Sequence, residues 1–166
     1  KKGKKMKKLK LLILFGFLLF ASSCVPEENE NCHLTIKVIN NSQTVIYIQG
    51  IPSYYDTTVV AFPNPTVDPL RYKVYQNKIN DQALRINDCI EGYFNPSNAK
   101  SDTIMIFLFD AETLENTPWD SVASKYLVLQ RYDLSLKDLQ KLDWEVTYPP
   151  TPEMKDMKMY PPYKEQ

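Results

Sequence analysis

The sequence predicts a mainly β fold: an antiparallel β-sandwich of the immunoglobulin or transthyretin type, with two short helices and a preceding signal-peptide helix. Short β-rich runs recur along the chain, and turn-forming residues separate them. The sequence has no Gly-rich phosphate-binding motif and no alternation of strands with long helices. Its 166 residues suffice for one domain, and a hydrophobic fraction of 43% is that of a globular protein.

The predicted strands follow one another from residue 33 onward. Residues 33–38 alternate apolar and polar side chains, and a second β-rich run at 45–48 follows turn-forming residues, so a hairpin is predicted over 33–49. The continuous apolar run at 104–109 is typical of a central strand covered on both faces. Further strands are expected at residues 57–62, 72–75, 83–86, 127–132 and 144–148.

Two helices are predicted from their N-terminal signals. Thr117 and Pro118 supply a capping hydroxyl and a first-turn proline, and Trp119 begins the apolar stripe behind them. Ser135 and Asp138 repeat the capping pattern before a stripe of leucines. Trp119 and, further along, Trp144 occupy periodic positions, so both are expected in the core.

The predicted domain organisation has four parts: a signal peptide (1–23), an acidic tether (24–31), the sandwich (32–148) and a tail rich in Pro, Met and Tyr (149–166). The signal peptide places seven lysines before an apolar run of eleven residues, 11–21, which is shorter than the roughly 20 residues that span a bilayer. The tether is expected to be extended and self-repelling. The tail is expected to be mobile or loosely docked, because its prolines exclude a regular ladder or helix.

The charge and the His and Cys content of the chain argue against two kinds of function. Lys+Arg and Asp+Glu number 20 each, but after residue 23 the chain holds 13 basic and 20 acidic side chains, a net charge of −7. Nucleic-acid binding requires the opposite sign, so no nucleic-acid partner is expected. One His and three Cys do not supply a zinc finger, and neither a metal nor another cofactor is expected.

Candidate catalytic groups are few. Nucleophilic catalysis with a histidine needs His33, whose neighbour Cys32 would point to the opposite face of a strand. Glycoside hydrolysis needs only two carboxylates, and Glu91, Asp110 and Glu112 are candidates, although strand ends and turns explain them as well. The sequence therefore favours a non-enzymatic binding or assembly module, with a small glycan-directed hydrolase using paired carboxylates as the alternative.

Ser22-Ser23-Cys24, at the end of the signal peptide, resembles the lipobox of bacterial lipoproteins, with a departure at Ala21, where leucine is commoner. The resemblance implies that Cys24 is the first mature residue and carries a diacylglycerol thioether and an N-acyl chain. Several acyl chains hold a protein on a membrane essentially permanently. Cys32 and Cys89 then remain, and in an exported domain they are expected to form a disulfide, with two buried thiols as the alternative.

A second resemblance is carried by longer segments, which include Cys32-His33-Leu34-Thr35, Arg131-Tyr132-Asp133-Leu134-Ser135 and Trp144-Glu145-Val146-Thr147-Tyr148-Pro149. Over about residues 32–163 the chain resembles a family of small Bacteroidota-type outer-membrane lipoproteins. The resemblance implies a lipoprotein with a common domain, and we expect a lipid anchor in the outer membrane with the domain facing the cell surface rather than the periplasm. A protein or glycan partner is expected but not identified, and the resemblance transfers no catalytic residues.

Two further features are similar to those of such lipoproteins. An acidic run after Cys24, formed by Glu27, Glu28 and Glu30, is similar to a tether that directs export to the cell surface. A short pattern of Asp, then Ser or Thr, then a small apolar residue or Thr is similar to an O-glycosylation signal. It marks three possible O-glycosylation sites: Thr57, Thr103 and Ser121.

Overall fold

The computed structural model describes residues 26–51, 64–94 and 102–165. Among these residues, eight strands form two sheets, which confirms a mainly β fold. The strands are β1 (Thr35–Asn40), β2 (Ile46–Ile51), β3 (Lys73–Val74), β4 (Lys78–Arg85), β5 (Thr103–Asp110), β6 (Gln130–Ser135), β7 (Glu145–Tyr148) and β8 (Lys158–Tyr160). The described α-helices are α1 (Pro69–Tyr72), α2 (Ala111–Asn116), α3 (Trp119–Ser124) and α4 (Leu136–Lys141). Short 3-10 helices lie at Pro65–Val67, Ile90–Phe94 and Pro152–Met154.

One sheet has the order β4-β1-β7, and the other has the order β3-β2-β5-β6-β8. The pair β1–β7 is parallel, whereas the other described pairs are antiparallel. The prediction of an antiparallel arrangement is therefore wrong at this pair. The chain reaches β7 from β6 through α4, a connection that changes sheets, so no tight turn forces β7 to reverse its neighbour.

The predicted hairpin over residues 33–49 is wrong, because β1 and β2 belong to different sheets. The buried Asn40 side chain organises this crossing. Its amide donates to the carbonyls of Thr44, Val74 and Tyr75 at 2.8, 3.2 and 3.3 Å, and its oxygen accepts from the Ser42 N–H at 3.0 Å. The prediction of a turn here is correct, but the turn leads from one sheet to the other rather than between two paired strands.

Both sheets contribute to one apolar core. Ile36 and Val38 of β1 lie in the same buried cluster as Ile106 and Leu108 of β5 and Tyr132 of β6. The Tyr132 hydroxyl crosses between the sheets and donates to the Thr147 carbonyl at 2.9 Å. Burial raises the pKa of Tyr132 far above its ordinary value, so this hydroxyl stays a donor.

Strand β5 is the middle strand of the larger sheet, and its residues from Ile104 to Phe109 are all buried. Ile104, Ile106 and Leu108 face the core shared with the other sheet. Phe107 and Phe109 lie in a second cluster with residues of α2 and α3, on the opposite face of the strand. The prediction of a central strand covered on both faces is confirmed.

The helix signals were correct at one helix and misplaced at the other. In α4 the Ser135 hydroxyl accepts from the Asp138 N–H at 3.2 Å, and the Asp138 carboxylate accepts from the Ser135 N–H at 2.9 Å, as predicted. In α3 the cap position is Pro118, and no side chain caps the helix. Thr117 instead follows the end of α2. The predicted Thr117 cap is therefore wrong.

The other predicted strands are shifted or lie outside the described residues. Residues 72–75 contain only the two-residue β3, and the strand expected at 83–86 begins earlier, as β4. The strand expected at 127–132 is β6, which runs three residues further. The strand expected at 144–148 is β7. The strand expected at 57–62 lies outside the described residues.

The C-terminal segment does not behave as a loosely docked tail. Strand β8 pairs with β6, and Met154 and Met157 are buried in the shared core. The prolines flank this structure: Pro152 opens a 3-10 helix, and Pro161 directly follows β8. The expectation that they exclude a ladder is wrong, because none of them occupies a strand position.

Candidate ligand-binding clefts

Cys32 and Cys89 form a disulfide across 57 residues, as expected, and the alternative of two thiols is excluded. The bond ties the residues before β1 to the residue that precedes the 3-10 helix Ile90–Phe94. Because Cys32 is oxidised, it offers no thiolate, and the pairing of Cys32 with His33 as nucleophile and base is excluded as well.

His33 is fixed beside this disulfide by two neighbours. Its Nδ1 lies 2.6 Å from a carboxylate oxygen of Glu91, and its backbone N–H donates to the same carboxylate at 3.0 Å. Its ring stacks on Trp144 with a centroid distance of 4.1 Å. Burial raises the pKa of Glu91, but the hydrogen bonds from the His33 ring and backbone outweigh burial and hold this pKa below its ordinary value.

A cleft of about 330 Å³ opens over His33, and we call it the His33 cleft. Its walls carry charges of both signs, and its lining residues are Glu28, His33, Thr35, Lys37, Asp81, Arg85, Asp143 and Trp144. Asp143 and Trp144 have φ angles of 50° and 60°, a backbone conformation that costs a non-glycine residue about 1–2 kcal/mol. Trp144 is 6% exposed, which confirms the prediction that it lies in the core.

A second cleft of about 590 Å³ adjoins the first, and we call it the Arg71 cleft. Its lining residues are Asp68, Leu70, Arg71, Gln82, Arg85, Ile86 and Asn87, so Arg85 is common to both clefts. The Arg71 Nη2 donates to the Arg85 carbonyl at 3.3 Å, and the Arg85 Nη1 donates to the Thr35 hydroxyl at 3.3 Å. Among the described residues, the hydrogen-bond acceptors of both guanidinium groups are neutral oxygens, and the Arg71 guanidinium also lies 5.4 Å from the centroid of the Tyr72 ring.

The Asn80 side chain connects the elements that form the Arg71 cleft. The pairing of β1 with β4 shifts register between Ile36 and Val38, which leaves extra residues on β4. The Asn80 side-chain oxygen accepts from the N–H groups of Gln82 and Ala83 at 3.0 and 2.8 Å, and its amide donates to the Arg71 carbonyl at 2.8 Å. These hydrogen bonds of Asn80 hold α1 against β4, and Arg71 therefore lines the same cleft as Gln82.

Two of the three carboxylates that the sequence offers for catalysis have structural partners. Glu91 is paired with His33, and Asp110 caps α2 by accepting from the Thr113 N–H and hydroxyl at 2.8 Å each. A third cleft, of about 400 Å³, is lined by Asp110, Glu112 and Glu115 among others. There a hydrogen bond from Lys73, joined by one from Tyr47, holds the pKa of Glu115 below its ordinary value, whereas a general acid needs a raised pKa.

The acidic residues of the predicted tether are exposed, but the segment is not wholly extended. Asn29 and Cys32 exchange two backbone hydrogen bonds of 2.9 and 3.0 Å. A Glu28 carboxylate oxygen accepts from the Leu34 N–H at 3.2 Å. The expectation of an extended run is therefore wrong over residues 28–32, which fold back onto the start of β1.

Two of the predicted modification sites fall in regular structure. Thr103 is the first residue of β5 and pairs with Ser135 of β6, whereas Ser121 is half-buried in the first turn of α3. Neither lies in one of the three clefts. Cys24 and Thr57 lie outside the described residues.

Within residues 26–51, 64–94 and 102–165, no group of three or more His, Cys, Asp or Glu side chains is arranged to hold a metal ion. In the same ranges no helix has the length and apolar character to cross a bilayer. Comparison of the chain with known protein families, with curated proteins and with solved structures finds no match.

Proposed function

We propose that this protein is an exported, lipid-anchored outer-membrane lipoprotein whose β-sandwich domain acts as a non-enzymatic binding module. Cys24 is the acylated residue, and the domain faces the cell surface. The proposal rests on the signal-peptide layout of residues 1–23, the Ser22-Ser23-Cys24 pattern and the resemblance to small Bacteroidota-type lipoproteins.

The observation that carries this proposal is the Cys32–Cys89 disulfide. Structural disulfides form and persist in oxidising compartments, and they are rare where thiols are kept reduced. A disulfide in the folded domain and a signal peptide before it are independent features that agree on export. Cys24 is the remaining cysteine of the three, at the position where lipoproteins carry their acyl chains.

Binding accounts for the clefts better than hydrolysis does. Glu91 and Glu115 both have lowered pKa values, and Asp110 is occupied as a helix cap, so these carboxylates suit ion pairing and capping rather than proton donation. The Arg71 cleft, in contrast, combines charged, amide and apolar groups in a concave surface of ligand size. A module that only binds a ligand requires such a concave surface and no catalytic group.

Acylation of Cys24 tests the proposal. Protein extracted from membranes with detergent should yield an N-terminal peptide that begins at Cys24 and carries the mass of the acyl groups. Cys24→Ser should abolish that peptide and leave the protein without the modification. The double variant Cys32→Ser, Cys89→Ser is the matched control, because it removes two thiols but should still be acylated. An unmodified Cys24 in the wild-type membrane fraction contradicts the proposal.

A further inference from the structure

The arginines of this chain differ in whether a carboxylate lies beside them. There are three in all, and Arg131 is held by the buried carboxylate of Asp133, at 2.9 Å. The other two, Arg71 and Arg85, line the Arg71 cleft. In the described ranges neither guanidinium lies within 4 Å of a carboxylate oxygen, while Lys37, Lys73 and Lys158 each have one. Two cations without a counter-charge therefore share one concave surface.

We propose that the Arg71 cleft binds a glycan that carries carboxylate groups, and that Arg71 and Arg85 contact the carboxylate. This inference rests on the proposed function as a binding module. Two guanidinium groups in one cleft repel each other, and an anion between them relieves that repulsion. A guanidinium also presents a planar pair of N–H donors that match the two oxygens of a carboxylate.

Among the described residues of the lining, Asp68 is the one acid, and it does not fill this role. Asp68 accepts through one oxygen from the Arg71 backbone N–H at 3.2 Å, so it serves as the N-cap of α1. The described lining residues consequently carry one negative and two positive charges, in a chain whose mature part carries a net charge of −7. This local excess of positive charge favours an anionic ligand over a neutral one.

The remaining groups of the cleft suit a sugar ring. The exposed amides of Gln82 and Asn87 offer donors and acceptors to hydroxyl groups. Leu70 is 96% exposed and Ile86 is half-buried, so both offer apolar surface to the C–H face of a ring. A volume of about 590 Å³ is within the range of small-ligand sites. Surfaces that recognise anionic lipids instead gather about 4–8 basic residues.

Calorimetric titration of the full chain in detergent micelles tests the inference, with trigalacturonic acid as the probe and its methyl ester as the neutral analogue. We expect trigalacturonic acid to bind, and its methyl ester to bind at least about tenfold more weakly, because the ester removes the charge-assisted hydrogen bonds. Arg71→Gln and Arg85→Gln should each weaken binding of the acid by about tenfold or more. Lys137→Gln is the matched control, since it removes an exposed cation from α4, outside the cleft.

Thermal melts of each variant separate loss of binding from loss of folding, and Arg85→Lys should recover part of the affinity because it restores the charge. Equal affinity for acid and ester, no binding of the acid, or unchanged affinity in both arginine variants overturns the inference. So does equally tight binding of inorganic phosphate, which indicates a simple anion site, or arginine-dependent binding to anionic phospholipid vesicles, which indicates membrane docking. None of these outcomes alters the acylation of Cys24, so the proposed function is tested separately.

Discussion

At the scale of single residues, the pair of His33 and Glu91 links the disulfide to the His33 cleft. The carboxylate accepts from both the ring and the backbone of His33, and these charge-assisted bonds are stronger than neutral ones. Only the ionised carboxylate can accept all of them. The pair therefore stabilises the fold only while Glu91 is charged.

This dependence gives a prediction about pH. The pKa of Glu91 is lowered in the folded protein, so its contribution is complete above the ordinary carboxyl pKa and is lost as the pH falls through the folded value. We expect Glu91→Gln to lower the free energy of unfolding at neutral pH by about 1 kcal/mol. The difference from wild type should shrink below about pH 4.5, because protonation removes the same interaction from the wild type.

Urea unfolding followed across pH 7 to 2.5 measures this difference. The exposed Glu112 of α2 supplies the matched control, and Glu112→Gln should leave the slope of stability against pH as it is in the wild type. If wild type and Glu91→Gln lose stability in parallel throughout the acid range, the His33–Glu91 pair does not contribute as described.

Asn40 shows how much of the fold a local sequence pattern predicts. Its position in an Asn-Asn-Ser run indicates a turn, and its side chain indeed accepts from Ser42. Its donors, however, reach the carbonyls of Val74 and Tyr75, which are 34 and 35 residues away. A turn pattern is equally compatible with a hairpin and with a crossover, and only these distant partners distinguish the two.

At the scale of elements, the C-terminal segment completes the larger sheet. Strand β8 covers the edge of β6, and Lys158 lies 3.3 Å from the buried carboxylate of Asp133. Met154 and Met157 are buried in the core shared by the two sheets. Removing the segment would expose that core and leave Asp133 with one cation fewer.

We therefore predict that truncation after Pro150 destabilises the domain strongly. Loss of two buried methionines alone costs about 4 kcal/mol or more, since each large-to-small change in a core costs about 2–5 kcal/mol. Removal of residues 164–166 is the matched control, because Lys164 and Glu165 are exposed, and it should be nearly neutral. Chemical unfolding compares the three chains. A truncation after Pro150 with wild-type stability means that the segment is only loosely docked, as the sequence predicts.

The elements also show which local sequence patterns predict the structure correctly and which do not. The apolar run of β5 and the reciprocal capping of α4 are local patterns, and both were predicted correctly. The proline-rich segment was misread because the rule against proline applies to strand positions, and β8 occupies the three residues immediately before Pro161. The pairing of β8 with β6 and the burial of Met154 and Met157 are contacts with distant residues, which no local pattern predicts.

At the scale of the whole molecule, the sequence indicated the disulfide and named His33 and Glu91, yet gave no sign of the Arg71 cleft. The expectation of this pairing comes from counting, because Cys32 and Cys89 remain when Cys24 is assigned to the predicted lipobox. The cleft depends on the irregular pairing of β1 with β4 and on the Asn80 side chain that bonds α1. Arg71 and Arg85 have no characteristic spacing, so only the folded chain brings them together.

The orientation of the domain at the membrane gives the last prediction. The exposed carboxylates of Glu27, Glu28 and Glu30 lie between the proposed lipid anchor and the first strand. A receptor that recognises this charge should fail to export a neutral variant, whereas a passive spacer should tolerate the change. Because Glu28 also accepts from Leu34, the suitable variant is the triple change of all three to Gln, which keeps a side-chain oxygen for that bond.

Treatment of intact cells with an external protease should then remove the wild-type domain, while the Glu27→Gln, Glu28→Gln, Glu30→Gln variant should be protected and remain in the membrane fraction. Glu28→Gln alone is the matched control, since it tests the Leu34 contact with two tether charges intact, and it should stay sensitive. If the protease removes the domain from both the wild type and the triple variant, the acidic run is a passive spacer. Protection of the wild type places the domain on the periplasmic face, where the ligand of the Arg71 cleft must come from the envelope itself.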